Sequence, residues 1–119
     1  MHAMPFKPAD SALPLTPISF EILLALLQGD LHGYAILQAV ESRLTGKLPL
    51  RTGTIYRALA RLMDEGLIER SGGVAEKDPR RRYYRITPYG RETAKAEARR
   101  LADQVEAARA HHLLPESRR

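Results

Sequence analysis

TGTIYRALARLMDEGLIER, running from Thr52 to Arg70, is the stretch on which the fold turns. Ile55, Leu59 and Leu62 follow a four-then-three spacing, with Ala58 and Met63 beside them, and that periodicity predicts a helix with one apolar face. Asp64-Glu65-Gly66 ends the helix, and Leu67-Ile68-Glu69-Arg70 then reads as a short strand. The outward face carries Thr54, Arg57 and Arg61, while Arg51, Thr52 and Tyr56 crowd the N-terminal end. Taken alone, such arginines fit a solvated face as well as a binding one.

Downstream, Ser71, Gly72 and Gly73 break the strand, and Arg82 to Ile86 resumes as a second one. A polar loop of about ten residues between them, containing Asp78-Pro79, predicts an antiparallel hairpin. Strand alternation puts Tyr83 and Arg85 on one side and Tyr84 and Ile86 on the other, so only one of the two tyrosines packs inward. Thr87 is placed to cap a last helix, with Pro88 at its first position, continuing to about His111. Ala94, Ala98, Leu101, Val105, Ala108 and His112 form a thin seam along it. That seam suits packing partly on its own body and partly on another subunit.

Upstream, Pro49 separates the quoted helix from one running from about Gly33 to Leu44, ended by Gly46. Tyr34, Ile36, Leu37, Val40 and Leu44 are expected to face inward there, and Gln38, Glu41 and Arg43 outward. A first helix begins at Thr16 or Pro17 and stops at Gly29-Asp30. Its stripe of Ile18, Ile22, Ala25 and Leu26 is widened by Phe20, Leu23, Leu24 and Leu27, which demands a central place in the core. Residues 1–15 contain Pro5, Pro8 and Pro14 and read as a flexible arm.

The fold expected is mainly α with a small antiparallel β-hairpin. It combines a winged helix-turn-helix over residues 16–86 with a C-terminal dimerisation helix over 87–114 and a tail over 115–119. A helix fits the DNA major groove, and a basic hairpin can reach neighbouring backbone or minor groove. At 119 residues the chain is one domain or one domain with an appended helix, and a partner subunit would add buried surface to a small core. The formal net charge of +5 suits a polyanionic partner or an anionic membrane face. Between residues 66 and 100 stand ten Lys or Arg against five Asp or Glu, which accounts for that whole excess. Lys77, Arg80, Arg81, Arg82 and Arg85 lie in or beside the hairpin, and phosphate would relieve their mutual repulsion and release counterions.

Other classes find little support. The longest strongly apolar stretch, Ile22 to Leu27, falls far short of the roughly 20 residues a bilayer requires, and Met1 to Leu15 lacks the apolar run of a signal peptide. A cytoplasmic protein without membrane partners is expected. There is no cysteine, so disulfides and thiolate zinc ligation are excluded. His2, His32, His111 and His112 are scattered without a zincin spacing, and His32 fits a local hydrogen-bonding role at the start of the second helix. Neither Ser42 nor Ser71 has a visible base, and Asp64-Glu65 fits a solvated helix end. No enzyme, cofactor or metal site is expected. A winged-helix module that binds an acidic protein is the competing class.

The segments LLALLQGDLHGYAI, TGTIYRALARLMDEGLIER and RRRYYRITPYG, in this order and spacing, resemble the PadR family of bacterial transcriptional regulators. The likeness runs from about Ile18 to Ala108. It implies a homodimer that binds a palindromic operator on double-stranded DNA, usually as a repressor. It further implies that the helix from Thr52 to Glu65 enters the major groove, that Tyr56 touches the DNA backbone, and that Lys77 to Arg82 form a wing at the minor groove. Gly33 matches a glycine at the tight start of the second helix. The family commonly has serine-proline where this chain has Arg51 and Thr52, so the cap is expected to shift to Thr52. It often has proline after the tyrosine, where this chain has Arg57. Both arginines add positive charge at the groove face. Arg51, Thr52, Thr54, Tyr56, Arg57 and Arg61 are therefore the expected recognition-helix contacts, with Lys77, Arg80, Arg81 and Arg82 in the wing. Ala98, Leu101, Val105 and Ala108 are the expected dimer seam. Some members answer to phenolic acids or other hydrophobic effectors. A single last helix leaves little material for a deep inducer pocket, and without tryptophan no indole pair can sandwich a planar ligand.

Overall fold

A computed structural model of the chain describes residues 12–44, 51–72 and 82–115. The expected arm lies outside these apart from 12–15, as do Gly46 to Pro49, the wing residues Lys77, Arg80 and Arg81, and the tail beyond Pro115. The element order is α1 (Pro17–Leu26), β1 (Leu31–His32), α2 (Gly33–Arg43), α3 (Thr52–Asp64), β2 (Ile68–Ser71), β3 (Tyr83–Ile86) and α4 (Pro88–Ala110).

α1 begins where local chemistry dictates. The Thr16 side chain accepts from the Ser19 amide at 3.1 Å, and Pro17 occupies a position that needs no donor. The helix touches α2, α3, α4 and β3, so the element richest in leucine and isoleucine is the hub of the core. Ile22, Leu23 and Leu26 are buried there with Ile36, Leu37 and Val40 of α2 and Ile55, Leu59 and Leu62 of α3.

α3 ends in a Schellman turn. The Leu67 amide donates to the Leu62 carbonyl at 2.9 Å and the Gly66 amide to Met63 at 3.0 Å, with Gly66 at φ +79°. That left-handed residue reverses the chain and drops Leu67 and Ile68 into the core at the entry to β2. β2 and β3 form the expected antiparallel hairpin, in the register Ile68–Ile86, Glu69–Arg85, Arg70–Tyr84 and Ser71–Tyr83. β1 adds a third strand that the sequence reading lacked, pairing Leu31 with Tyr84 and His32 with Tyr83, so the sheet order is β1-β3-β2. Tyr84 is the tyrosine that packs inward; Tyr83 is half-buried and meets the His32 ring edge-on at 5.5 Å.

Thr87 joins the last helix to this body. Its hydroxyl caps α4 by accepting from the Gly90 amide at 2.9 Å, and it donates to the Gly66 carbonyl at 2.7 Å. The first half of α4 buries Gly90, Thr93, Ala94 and Glu97, and the stretch from Ala102 to Ala107 is exposed. At 1.5 Å per residue the helix is about 34 Å long, so its second half reaches well past its own core.

Two placements differ from expectation. Tyr34 is 56% exposed instead of core-facing, while the ring of Tyr56 rests against Gly33 at the first turn of α2. The α3 cap falls on Arg51, in extended conformation and without a side-chain capping bond, while Thr52 is already helical.

Candidate nucleic-acid interface

The amphipathic order of α3 positions the candidate site. Ile55, Leu59 and Leu62 anchor one face, and the opposite face turns Arg51, Thr52, Tyr56, Arg57 and Arg61 to solvent. Thr54 is half-buried beside them. Among the described residues, no ion pair holds Arg51, Arg57 or Arg61. Several other arginines are occupied: Arg43 with Glu21 at 2.7 Å, Arg85 with Glu69 at 2.9 Å and Arg100 with Glu97 at 2.8 Å. Arg70, Arg82, Arg91, Arg99 and Arg109 are likewise exposed without ion pairs among the described residues. What sets Arg51, Arg57 and Arg61 apart is that they share one face of α3, whose first-turn amides also carry partial positive charge. An anionic polymer is the chemical match for such a face.

The start of α2 meets this end of α3. His32 caps α2, its Nδ1 accepting from the Ala35 amide at 3.2 Å, which is the local role its sequence position suggests. Tyr56 is 44% exposed yet has its hydroxyl and ring edge against Gly33. At the root of the hairpin, Arg82 is exposed. The expectation that Arg85 belongs to an unpaired cationic run needs correction. It bonds across the hairpin to Glu69, its partner in the β2–β3 register, a pairing hidden while the two residues were read as separate stretches of sequence. Asp30, before β1, accepts from the Ser71 hydroxyl at the end of β2, tying the α1–α2 turn to the hairpin.

Along the expected dimer seam, Ala98 and Val105 are exposed, and Leu101 and Ala108 are half-buried, while Ala94 belongs to the chain's own core. Missing from the sequence reading was Glu97, which is buried beside that seam. Its carboxylate accepts from Arg100 Nε at 2.9 Å and Nη2 at 2.8 Å, and from the Leu15 amide at 3.5 Å. These bonds, led by that from Arg100, hold its pKa below the usual carboxylate value against the opposing effect of burial. The spacing Gly90, Thr93, Glu97 repeats the inward face and was the available signal. No helix among the described residues is long and apolar enough to cross a membrane.

This arrangement of helices and hairpin is a winged helix-turn-helix with an appended helix. The chain belongs to the PadR-like family of transcriptional regulators, whose defining pattern matches residues 22–96; its members regulate transcription and are not enzymes. A transcriptional regulator from Clostridium thermocellum is similar in structure, with a TM-score of 0.66 and 29% identity over 78% of this chain and 87% of that one. Bacillus subtilis PadR, solved in complex with operator DNA, gives 0.58 and 25% identity over 70% of this chain and 46% of that one. In sequence, an uncharacterized 37.1 kDa protein in transposon TN4556 of Streptomyces fradiae is 41% identical over 81 residues. Uncharacterized protein X of Lysinibacillus sphaericus is 33% identical over 70. The chain spans 22% and 64% of the lengths of these two curated relatives.

Proposed function

We propose that this protein is a sequence-specific double-stranded-DNA-binding regulator, acting as a homodimeric repressor at a palindromic operator. The observation that carries the reading is that Arg51, Arg57 and Arg61 all face solvent on the side of α3 opposite its buried Ile55, Leu59 and Leu62, with no ion pair among the described residues. In this reading the body from residue 16 to 86 holds the DNA, with the N-terminal half of α3 in the major groove. Arg51, Thr54 and Arg57 meet base edges; Thr52, Tyr56 and Arg61 meet phosphate or help to orient the helix. Lys77, Arg80, Arg81 and Arg82 grip the neighbouring backbone as a wing. The similarity to a PadR protein solved with operator DNA supports the assignment.

The half of α4 that extends past its own core supports a second copy packing there through Ala98, Leu101, Val105 and Ala108. Two recognition helices about 34 Å apart would then meet half-sites one helical turn apart. An open groove of about 450 Å³ between α1 and α4 is lined by Leu15, Phe20, Leu24 and Leu101 and also by Glu21, Arg43, Glu97 and Arg100, so a small hydrophobic effector there would meet charged as well as apolar groups.

Titration of duplex DNA at several salt concentrations tests the reading. Affinity should fall steeply with salt, and replacing Arg80, Arg81 and Arg82 together by alanine should weaken cognate and random duplexes alike while flattening the salt slope. Arg57→Ala should cost about 1–3 kcal/mol on the cognate duplex and less on random DNA. Salt-independent binding would remove the phosphate-gripping wing. Retention of no duplex, alongside a stable acidic protein partner, would favour the interaction module instead.

A further inference from the structure

We propose that Gly33 is a positioning residue for DNA binding, its missing side chain setting where the Tyr56 hydroxyl stands. A Cβ built on Gly33 would lie 2.7 Å from the Tyr56 hydroxyl oxygen, 2.8 Å from Cε1 and 3.0 Å from Cζ. The ring therefore rests directly on the backbone at the first turn of α2. Ordinary contact begins at 3.4 Å, so a methyl group would push the hydroxyl away by about 0.7 Å.

Neither helix can give way easily to absorb that displacement. α3 is fixed beside Tyr56 by Ile55, which is fully buried, and by Leu59. The start of α2 is fixed by the His32 cap, by the pairing of His32 with Tyr83 in the sheet, and by the edge contact between their rings. The exposed side of the ring is the free direction, so Tyr56 would swing outward. A hydroxyl donating to a phosphate oxygen needs an O···O distance near 2.5–2.7 Å, and such a bond loses strength steeply with displacement. The glycine thus acts through the tyrosine, and the inference rests on the proposed contact between Tyr56 and DNA.

The test is a double-mutant cycle on the full chain, using Gly33→Ala, Tyr56→Ala and the pair. The probe is a labelled mixed-sequence duplex at low salt, which suffices because a phosphate contact is independent of sequence. Tyr56→Ala should weaken binding roughly tenfold, as expected for a lost bond to a charged group. Gly33→Ala should weaken it several-fold when Tyr56 is present and less than twofold when Tyr56 is alanine, because the methyl then has room. Thermal midpoints and helix content of Gly33→Ala should stay close to those of the parent, which separates positioning from damage to the fold. An equal loss from Gly33→Ala in both backgrounds would overturn the inference while leaving the Tyr56 contact standing. Undiminished binding by Tyr56→Ala would overturn the contact itself, and the inference with it. Should Tyr56→Ala prove poorly folded, Tyr56→Phe supplies the second cycle. With the hydroxyl gone but the ring retained, Gly33→Ala should again cost less than twofold, and a loss as large as in the parent would refute the positioning role.

Discussion

Gly90→Ala sets two physical effects of opposite sign against each other. Gly90 sits in the first turn of α4, where helix propensity alone favours alanine by about 1 kcal/mol. Packing opposes it. An added Cβ would lie 2.0 Å from the Leu67 carbonyl oxygen, 2.9 Å from the Leu67 carbonyl carbon and 2.9 Å from Ile86 Cγ1. To restore a 3.4 Å contact, α4 must move off the β2 entry by about 1.4 Å. That carbonyl already accepts from the Thr87 amide at 3.1 Å and from its hydroxyl at 3.2 Å, and the fully buried Thr93 lies one helical turn further on. Overpacking of this kind costs about 1–3 kcal/mol, and weakening the two Thr87 bonds adds roughly 1 kcal/mol. Net of propensity, a loss of about 1–3 kcal/mol is expected, or a drop in thermal midpoint of roughly 5–15 °C for a domain of this size. Thermal and urea unfolding followed by circular dichroism would measure it. An unchanged or raised midpoint would show that the close approach of α4 to the sheet has been misjudged, along with the direction in which α4 leaves the body.

The remaining predictions concern the same helix. Thr93 is fully buried and its hydroxyl has no hydrogen-bond partner among the described residues, so the nearly isosteric Thr93→Val should raise stability by about 1 kcal/mol in urea unfolding. Glu97 titrates below its ordinary value in the folded protein, so its contribution is fully present above the unfolded value of 4.5 and is lost as pH falls through the folded one. Stability should therefore decline in acid below about pH 4.5, and Glu97→Gln should flatten that part of the profile; an identical slope in the variant would contradict the assignment.

What was legible in the sequence was local. Thr16-Pro17 and Thr87-Pro88 announce helix starts because a hydroxyl cap and a donor-free first position act within a single turn. Gly66 announces the turn into β2 for the same reason. The apolar period of α3 is enough to identify its outward face, which carries Arg57 and Arg61. What escaped depends on partners distant in sequence. β1 is only two residues long and exists through its pairing with β3, and no periodicity can show in two residues. Tyr34 stands on the solvent side of α2, a placement that depends on how the helix docks against its neighbours and that its own apolar pattern does not reveal. Arg85 looked like one more free cation until the hairpin register set Glu69 opposite it. Glu97 drew no reading at all, because its burial depends on the body against which α4 packs.

Selection of bound duplexes from a random pool tests the central claim most directly, since it examines DNA binding, sequence preference and two-fold symmetry together. The account predicts recovery of inverted repeats whose half-site centres lie about 34 Å apart, roughly 10 bp along the duplex. Recovery of no duplex above background, or of single half-sites with no symmetric partner, would contradict it.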